Sequence, residues 1–112
     1  MAAEDFAISA QEHGDDVIVD VRGEVDLSTA PVLDERLSQL TDVHKLVVDL
    51  SGVSFLDSSG LGVLVRTSNK LEEHGGVIRL VVNHPQVLKV LEITGLASTL
   101  SVFSTLDQAL SG

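Results

Sequence analysis

Residues 47–64 read V-V-D-L-S-G-V-S-F-L-D-S-S-G-L-G-V-L, preceded by Lys45-Leu46. From Lys45 to Leu50 nearly every position is apolar, which predicts a central strand covered on both sides. Beyond the glycines, Leu61, Leu64, Ser68 and Leu71 fall on one helical stripe with Val65 beside it. The stretch is therefore a strand, a short joint and a helix. The joint is Asp57-Ser58-Ser59-Gly60, and its simplest role is a helix N-cap. Asp and Ser oxygens accept the free N–H groups of a first turn.

The same alternation extends in both directions. Residues 6–12 predict a first strand, and Gly14-Asp15-Asp16 a turn. Val17, Val19 and Val21 alternate with Ile18, Asp20 and Arg22, as in a half-buried strand. Gly23-Glu24-Val25-Asp26 reads as a loop. Ser28 or Thr29 is the candidate cap of a helix with Pro31 in its first turn and Ala30, Leu33, Leu37 and Leu40 on its inner face. Gly75-Gly76 ends the helix after the joint, and residues 77–82 (V-I-R-L-V-V) form another strand. Asn83 is the candidate cap of a helix that turns Val87, Leu88, Val90 and Leu91 inward and stops at Gly95. Residues 101–103 are a short strand, and Ser104 with Asp107 resembles a capping box for a last helix. Strands alternating with helices predict an α/β domain, with a mixed, mainly parallel sheet of four to five strands packed with about four helices.

The chain has 112 residues, 44% of them hydrophobic, enough for one domain with a real core over residues 1–112. Residues 1–5, with Glu4 and Asp5, are expected to be a disordered lead or an extension of a contact surface. Seventeen acidic against seven basic residues give a net charge of -10, which disfavours nucleic acid and anionic membranes as partners. The three aromatics are too few for a base-stacking platform. No cysteine is present, so thiol chemistry and disulfides are excluded. The start M-A-A-E-D-F-A-I has no basic, then apolar, signal pattern, and no stretch has the apolar length of a membrane span. A cytoplasmic location is expected.

Several chemistries could use such a joint. A nucleophile elbow needs G-x-S-x-G, but Leu56 stands two residues before Ser58 and Asp57 two before Ser59. His13, His44, His74 and His84 are scattered, and none is placed as a base. A dinucleotide loop needs a third glycine where Val65 stands, and the phosphate-loop pattern is absent. Asp26, Asp49 and Asp57 at strand ends are isolated acids rather than a metal cluster. An aspartyl-phosphate receiver needs a lysine after a late strand, where this chain has Asn83. No catalytic residue, metal site or cofactor is therefore assigned, and no enzyme activity is expected.

The longer string from Val47 to Leu64 resembles the core signature of the STAS domain of bacterial anti-sigma factor antagonists. G-E-V-D at 23–26 is similar to that family's loop after the second strand, and Pro85–Leu96 to its late helix. The resemblance spans almost the whole chain and implies a single STAS-like domain that acts as a switch. The unmodified antagonist binds an anti-sigma factor and so frees a sigma factor. The anti-sigma factor is usually a serine kinase as well, and it phosphorylates the serine after the motif's acid, here Ser58. A PP2C-type phosphatase resets the switch. Ser59 remains the alternative acceptor on chemical grounds. Asp57 matches the preceding acid, Asp26 the loop near the kinase and its nucleotide, and Gly60 and Gly62 would let the partner approach. The free protein is expected to be monomeric. Two other readings stay open: a constitutive STAS binding module in a signalling complex, and a nucleotide-sensing STAS domain.

Overall fold

The computed structural model describes residues 6–111, so the expectation for Glu4 and Asp5 lies outside the described residues. In chain order the elements are β1 (Ala7–His13), β2 (Asp16–Val25), α1 (Ala30–Ser38), β3 (Lys45–Leu56), α2 (Ser58–Glu73), β4 (Val77–Val81), α3 (Pro85–Ile93), α4 (Leu96–Thr99), β5 (Ser101–Phe103) and α5 (Leu106–Ser111). The five strands line up in sequence order, β1-β2-β3-β4-β5. β1 pairs antiparallel with β2, and every later pair is parallel. The mixed, mainly parallel sheet expected from the sequence is thus present.

The sequential order explains where the helices sit. Strand–helix–strand crossovers are overwhelmingly right-handed, so strands added in one direction deliver their helices to one face. There, Val17, Val19 and Val21 of β2, Leu46, Val48 and Leu50 of β3, and Leu80 of β4 share one core. Leu33 and Leu37 of α1, Leu64 and Leu71 of α2, and Val87 and Leu91 of α3 complete it. The opposite face holds a smaller cluster, Val47, Val81 and Ala109, with Ile18, Phe103, Leu106 and Leu110 against it. β3 is therefore covered fully on one face and only in part on the other, where Asp49 is half-buried and Ser51 exposed.

Two cations hold α5 on that second face. The ammonium of Lys45, nearly buried, donates to the Leu110 carbonyl at 2.8 Å and stands 3.5 Å from the Asp16 carboxylate. Arg79 donates to the Ala109 carbonyl at 3.0 Å and lies 5.5 Å over the Phe103 ring. Cations at a helix C-terminus complement its unpaired carbonyls, and here both come from strands beneath the helix.

Several local expectations shift. Gly23, Glu24 and Val25 are not a loop: β2 runs through them to Val25, with register irregularities between Asp20 and Arg22 and between Gly23 and Glu24. Gly23 has φ of 102°, a conformation that suits glycine. Leu40 packs on the core from beyond the end of α1. Thr67, not Ser68, is buried in α2, because its hydroxyl donates to the Val63 carbonyl at 2.8 Å and leaves nothing unsatisfied. His84 rather than Asn83 caps α3, its Nδ1 accepting from the Gln86 amide. The last box lies one residue later than expected. Thr105 accepts from the Gln108 amide at 3.2 Å, and the Gln108 side chain accepts from the Ser104 amide at 3.3 Å. The one-turn helix α4 adds a fifth helix to the four expected.

Candidate functional site

The joint between β3 and α2 and the loop after β2 lie side by side. The Asp57 amide donates to the Val25 carbonyl at 3.2 Å, which ties the two chain segments together. Val25 and Leu56, the last residues of their strands, are fully buried beneath them. Gln86 at the start of α3 braces the same point: its side chain accepts from the Leu56 amide at 3.0 Å and donates to the Leu56 carbonyl at 3.4 Å. Sequence periodicity offers no sign of this brace, which spans thirty residues.

Asp57 is the N-cap of α2, with one carboxylate oxygen accepting from the Ser59 amide at 2.9 Å and, more weakly, from the Gly60 amide at 3.4 Å. The capping role expected from the sequence is the observed one. It turns the carboxylate inward on the helix end and leaves Ser58 exposed at the first helical position, with Ser59 half-buried behind it. Among the described residues no hydrogen bond engages either hydroxyl.

Asp26 organises the neighbouring loop. Its carboxylate accepts from the Ser28 hydroxyl at 2.8 Å and from the amides of Ser28 and Thr29 at 3.0 and 3.1 Å. These bonds, the Ser28 hydroxyl foremost, hold its pKa below the usual carboxylate value of 3.8. The expected side-chain cap by Ser28 or Thr29 is not formed at α1. Thr29 instead donates to the Glu24 carbonyl at 2.8 Å and accepts from the Asp26 amide at 2.9 Å. The Asp26 carboxylate thus orders the loop that leads into α1, while the first-turn amide of Val32 goes to the Thr29 backbone carbonyl and the Ala30 amide to the Asp26 backbone carbonyl.

The two glycines part company. Gly60 is buried, and a Cβ there would strike Leu56 and come within 2.6 Å of Val25. Its open side faces the protein's own core, so it serves the tight strand-to-helix connection and presents no surface to a partner. Gly62 stands at the surface, where a Cβ would meet only the end of the Arg66 side chain, at 3.2 Å.

Ser58, Ser59 and Gly62 form one wall of an open groove of about 320 Å³ between α1 and α2. Leu27, Pro31 and Asp34 form the opposite wall, and Arg66 closes one end. Leu27 is 79% exposed at the rim. Arg66 and Asp34 face each other across the groove at 3.7 Å. Leu27, Asp34 and Arg66 were not singled out from the sequence, and Pro31 was named only for its place in the first turn of α1. The i, i+4, i+8 row Ser58-Gly62-Arg66 could have drawn attention to the arginine, but the α1 wall is a tertiary fact.

A family profile for the STAS domain matches residues 7–109. The chain belongs to the STAS domain family. This STAS domain is 34% identical over 116 aligned positions to an anti-sigma-F factor antagonist of Mycobacterium tuberculosis, covering 99% of this chain and 92% of that one. It is 32% identical over 96 positions to the anti-sigma-B factor antagonist of Bacillus subtilis, covering 85% and 88% of the two chains. Among solved structures, an anti-sigma factor antagonist from Mycobacterium paratuberculosis superposes with a TM-score of 0.90 at 34% identity, over 99% of this chain and 97% of the other. Among the described residues of this STAS domain no helix is long and apolar enough to cross a membrane.

Proposed function

We propose that this STAS domain is an anti-sigma factor antagonist that works by partner switching in the cytoplasm. The unphosphorylated form binds a cognate anti-sigma factor and releases a sigma factor. That anti-sigma factor, acting as a serine kinase, transfers the γ-phosphoryl group of ATP to the Ser58 oxygen and so ends the complex. A PP2C-type phosphatase restores the hydroxyl. The names of the relatives at 32% and 34% identity support the class.

The observation that carries the reading is the placement of Ser58. Its side chain is exposed at the first turn of α2, on the rim of a groove whose far wall presents the exposed Leu27. Ser59 is half-buried and a poorer acceptor. A phosphoryl group adds roughly -1.5 to -2 charge at neutral pH. At a helix N-terminus this charge is stabilised by about 0.3–1 kcal/mol, so the fold survives it. In a contact surface that already holds Asp26 and Asp57, the same charge meets desolvation and like charges, at a cost of several kcal/mol. Since about 1.4 kcal/mol is tenfold in affinity, binding should fall by two orders of magnitude or more.

The test is affinity capture from the host's soluble extract with wild type and Ser58→Asp as baits. Retention of an ATPase-fold anti-sigma factor by wild type alone supports the switch. Equal retention by both refutes it and leaves a constitutive binding module.

A further inference from the structure

We propose that Arg66 is the intramolecular receiver of the phosphoryl group on Ser58: the modified serine reaches along α2, takes the guanidinium from Asp34, and covers the α1/α2 groove. This rests on Ser58 being the modified residue, and it adds a residue and a consequence that the switch reading does not contain.

Ser58, Gly62 and Arg66 follow one another along an i, i+4 row of α2. Residues so spaced have Cβ atoms about 5–6 Å apart. The Arg66 guanidinium is exposed but stays close to the helix surface. It lies back toward the helix N-terminus, its Nη1 only 3.2 Å from where a Gly62 Cβ would stand. It therefore sits a single turn from Ser58, over the one position of the row with no side chain. A phosphoryl group on Oγ carries its acceptor oxygens two bonds further out, into that gap. Any larger residue at position 62 would fill it.

The charges favour the exchange. Asp34, Ser58 and Arg66 line the same groove, and Arg66 is its cation. The nearby acids are Asp57, committed to the helix cap, Asp26, committed to its own loop, and Asp34. The present Arg66–Asp34 pair is long, 3.7 Å, with side chains 59% and 45% exposed. Exposed pairs of this kind contribute little. A dianionic phosphate offers arginine a shorter, charge-assisted and bidentate contact, so it wins the guanidinium. The phosphate is then folded across the groove mouth rather than left at its rim, and Leu27 and Pro31 lose their open cleft.

The experiment installs phosphoserine at position 58 by genetic-code expansion, so it requires no kinase and is independent of whether one exists in the cell. The second ionisation of the phosphate is followed by phosphorus NMR, and the Arg66 Nε–Hε resonance by nitrogen-proton correlation. The expected result is a phosphate pKa lower by about half a unit in wild type than in Arg66→Gln, the size of one exposed charge pair. Arg66→Lys should restore most of the shift. Lys70→Gln, which removes an exposed cation one turn further along, should leave it unchanged. The Arg66 Nε–Hε signal should move on phosphorylation. Titrations that coincide in wild type and Arg66→Gln, or an equal effect of Lys70→Gln, would overturn the assignment. The switch reading fails separately, if the phosphorylated protein binds the anti-sigma factor as tightly as the unmodified one.

Discussion

Alanine at Gly60 and at Gly62 should move stability in opposite directions, although both are glycines in the first turns of one helix. Alanine is favoured over glycine in a helix by up to about 1 kcal/mol. At Gly62 nothing opposes this gain, since the only neighbour of a new Cβ is the free end of Arg66 at 3.2 Å. At Gly60 the new methyl would strike Leu56 and stand 2.6 Å from a Val25 methyl carbon. Both neighbours are 0% exposed and sit on strand ends, so neither can swing away. Forcing a methyl into such a site costs about 1–3 kcal/mol, and the upper half applies where two anchored side chains must move. The propensity gain offsets part of this, leaving a net loss of about 1–2 kcal/mol for Gly60→Ala. For a domain near this size each kcal/mol is worth about 4–8 °C. Thermal unfolding followed by far-ultraviolet circular dichroism should therefore show Gly60→Ala melting roughly 5–10 °C below wild type, and Gly62→Ala a few degrees above it. A Gly60→Ala protein as stable as wild type would show that the α2 N-terminus is not pressed onto Val25 and Leu56, and the account of the joint would fall with it.

Two further outcomes follow from the same geometry. Lys45→Met keeps the apolar stem but removes the donor to the Leu110 carbonyl, a charge-assisted bond worth about 1.5–3 kcal/mol. Amide exchange in residues 106–111 should accelerate more than exchange in β3, and uniform protection across both would argue against the lysine as the anchor of α5. Asp26 has its pKa lowered in the folded state, so its contribution is fully present above the ordinary carboxylate value and is lost as pH falls through the lower, folded one. The amide signals of Ser28 and Thr29 should shift together over that acidic window and cease to do so in Asp26→Asn; pH-independent amides in wild type would contradict the hydrogen-bond pattern.

Much of the fold was legible because the physics involved is local. The 2-residue alternation at Val17–Val21, the apolar run at Lys45–Leu50 and the helical stripe at Leu61, Leu64 and Leu71 follow from side-chain direction within a single element. Asp57 was readable as a cap for the same reason: its carboxylate meets amides only two and three residues away. Local reasoning failed where two near-equivalent choices stood side by side. Asn83 against His84, and Ser104 against Thr105, differ by the direction in which the chain arrives, which no short window contains. The strand end at Gly23–Val25 was misread because glycine and acids signal a loop, whereas a parallel neighbour, β3, kept the backbone extended.

By itself, then, the sequence determined the order of strands and helices, the α/β class and the strand–turn–helix joint with its two adjacent serines, because periodicity and capping act over a few residues. Only the tertiary structure decided that Gly60 faces the core while Gly62 faces the groove, that Gln86 braces Leu56, that Lys45 and Arg79 hold α5, and that Asp34 of α1 stands across from Arg66 of α2. Those relations join residues up to sixty-five positions apart, and they exist only after the chain has laid α1, α2 and α3 on one face of the sheet and α5 on the other.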